Sequence, residues 1–212
     1  MKVKKITVGF IQENCYIVFD EKTKDAVVID PGADGEDIVE ELEGLNLKAI
    51  LATHGHIDHV GQVGYLKDLF NVPFYMNFKD RFLTNEELFP SFAKTLNAYR
   101  CPDPDFDLGS IDRLEIGDLK FDVIKTPGHT PGGVSFYSKE NNFILVGDTL
   151  FAGSVGRIDL PGGDSKMLEK SLNRLMELPE ETIVYSGHGV NTTIGKEKKT
   201  NPFITGRFKL KW

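Results

Sequence analysis

The sequence predicts a single α/β domain spanning residues 1–212, in which two sets of strands, each closed by a helix, form the halves of the fold. Three observations predict it. Strand-like and helix-like stretches alternate through the first half, the same order of strands then helix returns in the second, and histidines or aspartates repeatedly stand just past a strand. With 212 residues, 40% hydrophobic and 27% charged, one core can be buried without disulfides or a partner.

Residues 3–10 and 15–19 read as the two strands of an opening hairpin, and residues 26–30 (AVVID) as a third strand, ended by Pro31 and Gly32. After Gly35, the residues Ile38, Val39, Leu42 and Leu45 recur at helical spacing among acidic residues, with Asp34 or Gly35 as the cap. Residues 48–52 (KAILA) make a short buried strand that stops at Thr53, so the polar cluster THGHIDH sits on a loop at a strand end. Residues 64–70 are then helical and residues 73–76 extended, a β-α-β-α-β rhythm.

Residues 79–99 mix helical spacing with Pro90, and CPDPDFDLG (101–109) has the proline and aspartate density of an ordered loop; this stretch reads as a lid or insertion. Strands are expected at 113–116 and 119–125 and again at 134–137 and 143–146, with turns at Gly117-Asp118 and at 140–142. A helix at 164–178 and a strand at 182–185 complete the second set. Two similar sheets packed face to face, with helices outside, is one arrangement that buries both sets.

Composition removes several function classes. A formal charge of −7 opposes a nucleic-acid surface, which needs clustered Lys and Arg. No run approaches the roughly 20 apolar residues of a membrane span. Residues 1–10 alternate Lys with Val and Ile and do not read as a signal peptide. Cys15 and Cys101 are far apart and in no CxxC arrangement, which fits a reducing cytoplasm. The expectation is a soluble cytoplasmic protein acting on a small molecule.

The five histidines carry the chemistry. His54, His56 and His59 fall within six residues as H-G-H-I-D-H, with Asp58 beside the last. His129 lies in TPGHTPGG, whose prolines and glycines fix a tight loop between strands. Asp148 ends the apolar run ILVGD, and His188 follows the strand in IVYSGHG. Imidazole suits zinc, iron and related ions, and a carboxylate can bridge two of them. A catalytic zinc takes three protein ligands plus water, so these seven residues exceed the needs of one ion, and two ions sharing a carboxylate use them all. Zinc is the first expectation, with iron and manganese also suited.

These residues resemble the metallo-β-lactamase fold superfamily, whose H-x-H-x-D-H hallmark stands here as His54, His56, Asp58 and His59. Through TPGHTPGG, GDTLFAGSVGRIDLPGGD and SGHG the chain is most similar to the short, single-domain glyoxalase II (hydroxyacylglutathione hydrolase) proteins. The resemblance implies a four-layer αββα sandwich with two divalent metal ions at one edge. It assigns His54, His56 and His129 to the first ion and Asp58, His59 and His188 to the second, with Asp148 as the bridge. Asp58 and Asp148 would be the catalytic carboxylates, acting through the metals.

The implied reaction is hydrolysis of S-D-lactoylglutathione or a related hydroxyacyl thioester by a metal-bridging hydroxide, with the thiolate leaving unaided. Two departures stand out. Long glyoxalase II proteins hold glutathione with a C-terminal helical domain, and the resemblance to the short single-domain form leads us to expect none here. After the bridging aspartate the chain reads Gly156-Arg157-Ile158-Asp159 in place of a lysine-and-aromatic arrangement. Arg157 is therefore the candidate substrate-binding residue, pairing a carboxylate bidentately, or else the partner of Asp159 or Asp164. The basic run 196–202 reads as a solvated helix end or a contact for an anion. The alternatives are a single-iron persulfide dioxygenase on His54, His129 and Asp148, which shares the GRxD segment, a non-glutathione thioester or lactone hydrolase, and a binding module without catalysis.

Overall fold

The computed structural model describes residues 1–209. A first mixed sheet takes its strands in chain order: β1 (Lys2–Val8), β2 (Glu13–Phe19), β3 (Asp25–Ile29), β4 (Asn46–Leu51), β5 (Phe74–Met76) and β6 (Phe106–Asp107). The first three pair antiparallel, from Lys2 opposite Phe19 to Val8 opposite Glu13 at the outer edge, and β3 to β6 run parallel. Their connections carry α1 (Gly35–Glu41), α2 (Ile57–Val60), α3 (Val63–Phe70) and α4 (Pro90–Thr95).

The second half supplies β7 (Arg113–Ile116), β8 (Leu119–Lys125), β9 (Val134–Ser138) and β10 (Phe143–Gly147), then a detached hairpin of β11 (Leu150–Phe151) and β12 (Ser154–Val155). After α5 (Ser165–Leu175) come β13 (Ile183–Ser186), β14 (Thr192–Thr193) and α6 (Ile194–Thr200). The second sheet has the order β14-β13-β10-β9-β8-β7, antiparallel except for the β10–β13 pair.

Side-chain alternation along the central strands separates the layers. On β2, Cys15 and Ile17 face one apolar cluster, shared with Ile38 of α1 and Leu66 of α3, while Tyr16 and Val18 face another between the sheets. On β10, Phe143 and Leu145 point to the inter-sheet cluster, and Ile144 and Val146 to a third cluster under α5 and α6. Strands buried on both faces read as continuous apolar runs, as AVVI and FILV do here. Helix α5 contributes Leu168, Leu172 and Leu175 at i, i+4 and i+7, and Asp164 caps it by accepting from the Met167 N–H at 2.9 Å. The result is the expected four-layer αββα sandwich.

Three local differences from the sequence reading have physical causes, and the basic run keeps its expected place at a helix end. The cluster THGHIDH is a loop only as far as His56, which stands at the N-cap of α2, so Asp58 and His59 lie on a helical turn. Residues 78–88 wind into 3-10 turns before Pro90 opens α4 at its first position, where a missing N–H costs nothing. The loop 101–109 contains the edge strand β6, held where the Asp105 N–H donates to the Phe74 carbonyl at 2.8 Å. The basic run after residue 194 is helix α6, with Lys199 on Glu180 at 2.9 Å. Among the described residues no helix is long and apolar enough to cross a membrane.

Candidate metal centre

All seven predicted residues come together along one edge, where both sheets present the C-terminal ends of strands: β4 leads to His54, β8 to His129, β10 to Asp148 and β13 to His188. The halves are sewn together there. The Val134 N–H donates to the Thr53 carbonyl at 2.8 Å, and the Asn14 N–H of β2 to the Gly187 carbonyl at 2.7 Å. Asn14 Nδ2 donates to the carbonyls of Ser186 and Gly189, both at 3.0 Å, and the Tyr16 hydroxyl to Ser186 at 2.7 Å. These bonds hold the loop that carries His188.

One group of nitrogens converges from three loops. His56 Nδ1 lies 3.1 Å from His54 Nε2 and 3.0 Å from His129 Nε2. Hydrogen bonds on the far sides of the rings set the tautomers. His129 Nδ1 donates to the Arg157 carbonyl at 2.7 Å, and His54 Nδ1 donates to the Thr53 hydroxyl at 3.1 Å, which in turn donates to Asp30 Oδ2 at 2.6 Å. At most one proton can then lie among three facing nitrogens. Nitrogens roughly 2 Å from a common tetrahedral ion sit roughly 3.3 Å apart, close to the spacing found.

The second group adjoins it. Asp58 Oδ2 lies 3.4 Å from His188 Nε2 and 3.7 Å from His59 Nε2. Asp148 stands between the groups: its Oδ1 is 3.4 Å from His59 Nε2, and its Oδ2 is 3.6 Å from His129 Nε2 and 3.7 Å from His188 Nε2. Buried His59 Nε2 and Asp148 Oδ1 have no hydrogen-bond partner. Two orphaned polar atoms facing each other mark a place for a cation, since burying them unpaired costs stability.

Protonation follows the same geometry. Burial and the neighbouring imidazoles hold His54 below the ordinary histidine range, and burial with His129 brings His56 down to about 4. Burial would lower His59 too, but Asp148, Asp58 and Asp30 raise it. Burial would raise Asp148 and Asp58, yet the facing His59 keeps both below the usual carboxylate range, and for Asp58 the His188 hydrogen bond adds to this. Neutral imidazoles and ionised carboxylates are the forms that ligate metals.

Three acidic residues escaped the sequence reading. Asp30, at φ 55° where β3 ends, accepts from the Thr53 N–H at 2.7 Å and from His59 Nδ1 at 3.0 Å. It meets His54 and His59 closely enough to count as a third ligand group, but its oxygens are already engaged, so it orients the ligands. The signal was present: AVVID ends a strand in a carboxylate, as ILVGD does. Asp80 ties the two ligand loops together, accepting from the Gly55 N–H at 3.1 Å, the Thr130 hydroxyl at 2.7 Å and the Gly132 N–H at 2.6 Å. Glu13, fully buried with Oε1 3.5 Å from His59 Nδ1, is pushed up by desolvation. Neither Asp80 nor Glu13 stands in a legible motif.

The site opens into a cavity of about 560 Å³, onto which His56, Asp58, His129, Asp148 and His188 face. Arg157 lines it as well, with Nε and Nη2 both donating to the Asp159 carboxylate at 2.6 Å. The structure thus realises the ion pair with Asp159 and leaves Asp164 to cap α5.

Comparison with known proteins agrees with this geometry. The family model of the metallo-β-lactamase superfamily matches residues 8–188. The hydroxyacylglutathione hydrolase GloC of Haemophilus influenzae is 37% identical over 219 residues, covering 98% of this chain and 100% of that protein. Among solved structures, the BLEG-1 B3 metallo-β-lactamase superposes with a TM-score of 0.89 at 40% identity, covering 97% of this chain and 100% of that one. TTHA1623, crystallised in a di-iron-bound form, superposes at 0.85 with 41% identity, covering 95% and 100%.

Proposed function

Because the chain belongs to the metallo-β-lactamase superfamily, we propose that it is a metal-dependent hydrolase of the glyoxalase II kind, cleaving S-D-lactoylglutathione or a related hydroxyacyl thioester. The observation that carries this reading is the convergence of two ligand groups on one wall of a substrate-sized cavity, with Asp148 between them. His54, His56 and His129 would hold one ion, Asp58, His59 and His188 the other, and Asp148 would touch both. Two divalent ions supply a water acidic enough to ionise near neutral pH and a positive charge for an oxyanion, zinc being the first candidate and iron or manganese suited too.

The chain's own contribution is binding and order. Thr53, Asp30 and the Arg157 carbonyl fix the imidazoles of His54, His59 and His129 so that their Nε2 atoms face inward. Asp58 and Asp148 stay ionised and act as ligands, which leaves no independent general base. No general acid is required at the departing group, because a thiol of pKa about 8.5 leaves as thiolate. The cavity's apolar walls let a seated substrate shed bulk water around the reacting carbonyl. The same reading places the protein in the cytoplasm with a small-molecule substrate.

Elemental analysis of the purified protein together with thioester turnover tests the proposal. Two divalent ions per chain and hydrolysis of thioesters are expected. One iron per chain, with oxygen consumed on a persulfide substrate, would overturn it in favour of a dioxygenase on His54, His129 and Asp148.

A further inference from the structure

The substrate cavity is apolar to a degree that its catalytic wall does not require. Ile11 and Ile57 line one side, Phe89 and Phe92 come from the segment around α4, and Phe151 and Val155 from the β11–β12 hairpin. The apolar surface continues past the mouth: Phe10, 59% exposed, meets the Phe92 ring edge-on at 5.8 Å. An exposed aromatic joined to a cavity rim marks a contact surface.

Cations are scarce by comparison. Among the described residues, Arg157 is the only lysine or arginine lining the cavity. Its bidentate fork is already closed on Asp159, and that pair is neutral overall. Glutathione carries two carboxylates and one ammonium, each of which loses solvation in an apolar cavity unless an opposite charge meets it. A hydroxyacyl group of a few atoms fills little of the 560 Å³, so most of the cavity is a site for the thiol portion.

We propose that this cavity selects thioesters whose thiol portion is apolar and uncharged over glutathione thioesters. The inference rests on the thioesterase reading above and narrows its substrate class. The cavity disfavours the charged tripeptide because the guanidinium on its walls is already engaged by Asp159, and it favours an aromatic or aliphatic thiol because seating one removes apolar surface from water on both partners.

The test compares two D-lactoyl thioesters, of glutathione and of benzyl mercaptan, on the metal-loaded protein. The acyl group is shared, so only the thiol differs. The expected result is a kcat/KM roughly tenfold or more higher for the benzyl mercaptan thioester, the scale on which an apolar pocket discriminates. Phe92→Ala should erase most of that advantage, lowering kcat/KM for the benzyl mercaptan thioester by a larger factor than for S-D-lactoylglutathione, with the metal content unchanged. A kcat/KM equal or higher for S-D-lactoylglutathione overturns the inference while upholding the thioesterase. Hydrolysis of neither compound overturns the thioesterase reading itself.

Discussion

Asp30 turns the end of a strand into a support for two ligands, receiving His59 Nδ1 directly and His54 Nδ1 through Thr53. Asp30→Asn replaces an acceptor by an amide that must present its own N–H groups to one of these donors. Metal affinity should fall roughly 10–100-fold, as at other orienting carboxylates. Competition with a chromophoric chelator measures it, and an unchanged affinity would remove Asp30 from the orienting set. At Asp80, substitution by Ala strands the Gly55 and Gly132 N–H groups and the Thr130 hydroxyl in a buried place. A loss of roughly 3 kcal/mol is expected in urea unfolding. The protonation pattern predicts how acid strips the centre. His59 and His188 are raised, so protons compete for their nitrogens at higher pH, whereas His54 is lowered and His56 reaches only about 4. As pH falls, the Asp58–His59–His188 side should lose its ion first and the His54–His56–His129 side later. Metal content after dialysis at descending pH should step from two to one to none, and a single step would contradict this ordering. The candidate ligands were legible because histidine is scarce here and the histidines cluster close after strands. Asp80 was not, because its partners are backbone groups brought near only by folding.

At the scale of elements, long strands were readable from apolar runs, whereas β6, β11, β12 and β14, two residues each, are too short to show a period of two. Tertiary bonds hold them instead. Fully buried Glu197 of α6 accepts from the Gly153 N–H at 2.8 Å, the Thr192 hydroxyl at 2.5 Å and Asn201 Nδ2 at 2.9 Å. Asn201 Nδ2 also donates to the Ser154 carbonyl at 2.9 Å. This clamp fixes the β11–β12 hairpin, which carries Phe151 and Val155 on the cavity wall and no ligand. Glu197→Gln keeps the shape and turns one acceptor into a donor. It should cost about 1–3 kcal/mol of stability and raise KM several-fold with the metal content intact. Loss of metal at unchanged KM would show that the clamp serves the centre and not the wall.

The repeated order of strands then helix offered two packed sheets as one arrangement, but the seam between the halves was invisible, because it consists of N–H groups and side chains from one half meeting carbonyls from the other. That seam decides how the whole molecule divides its metal site. The first ligand group draws on loops after β4 and β8 that Asp80 joins, while the second depends on the His188 loop that Asn14 and Tyr16 hold from the opposite sheet. Asn14→Ala removes the bonds to the Ser186 and Gly189 carbonyls, and Tyr16→Phe removes the second bond to Ser186. Either change should loosen His188 and lower occupancy of the second site, leaving the first filled, so that metal content falls from two ions towards one. Because both bonds anchor the same carbonyl, the double variant should lose less stability than the summed single losses, with a coupling of about 0.5 kcal/mol or more in a double-mutant cycle. Equal loss of both ions would mean that the halves support the centre only as a single unit, and strict additivity would mean that the two anchors act on separate parts of the loop.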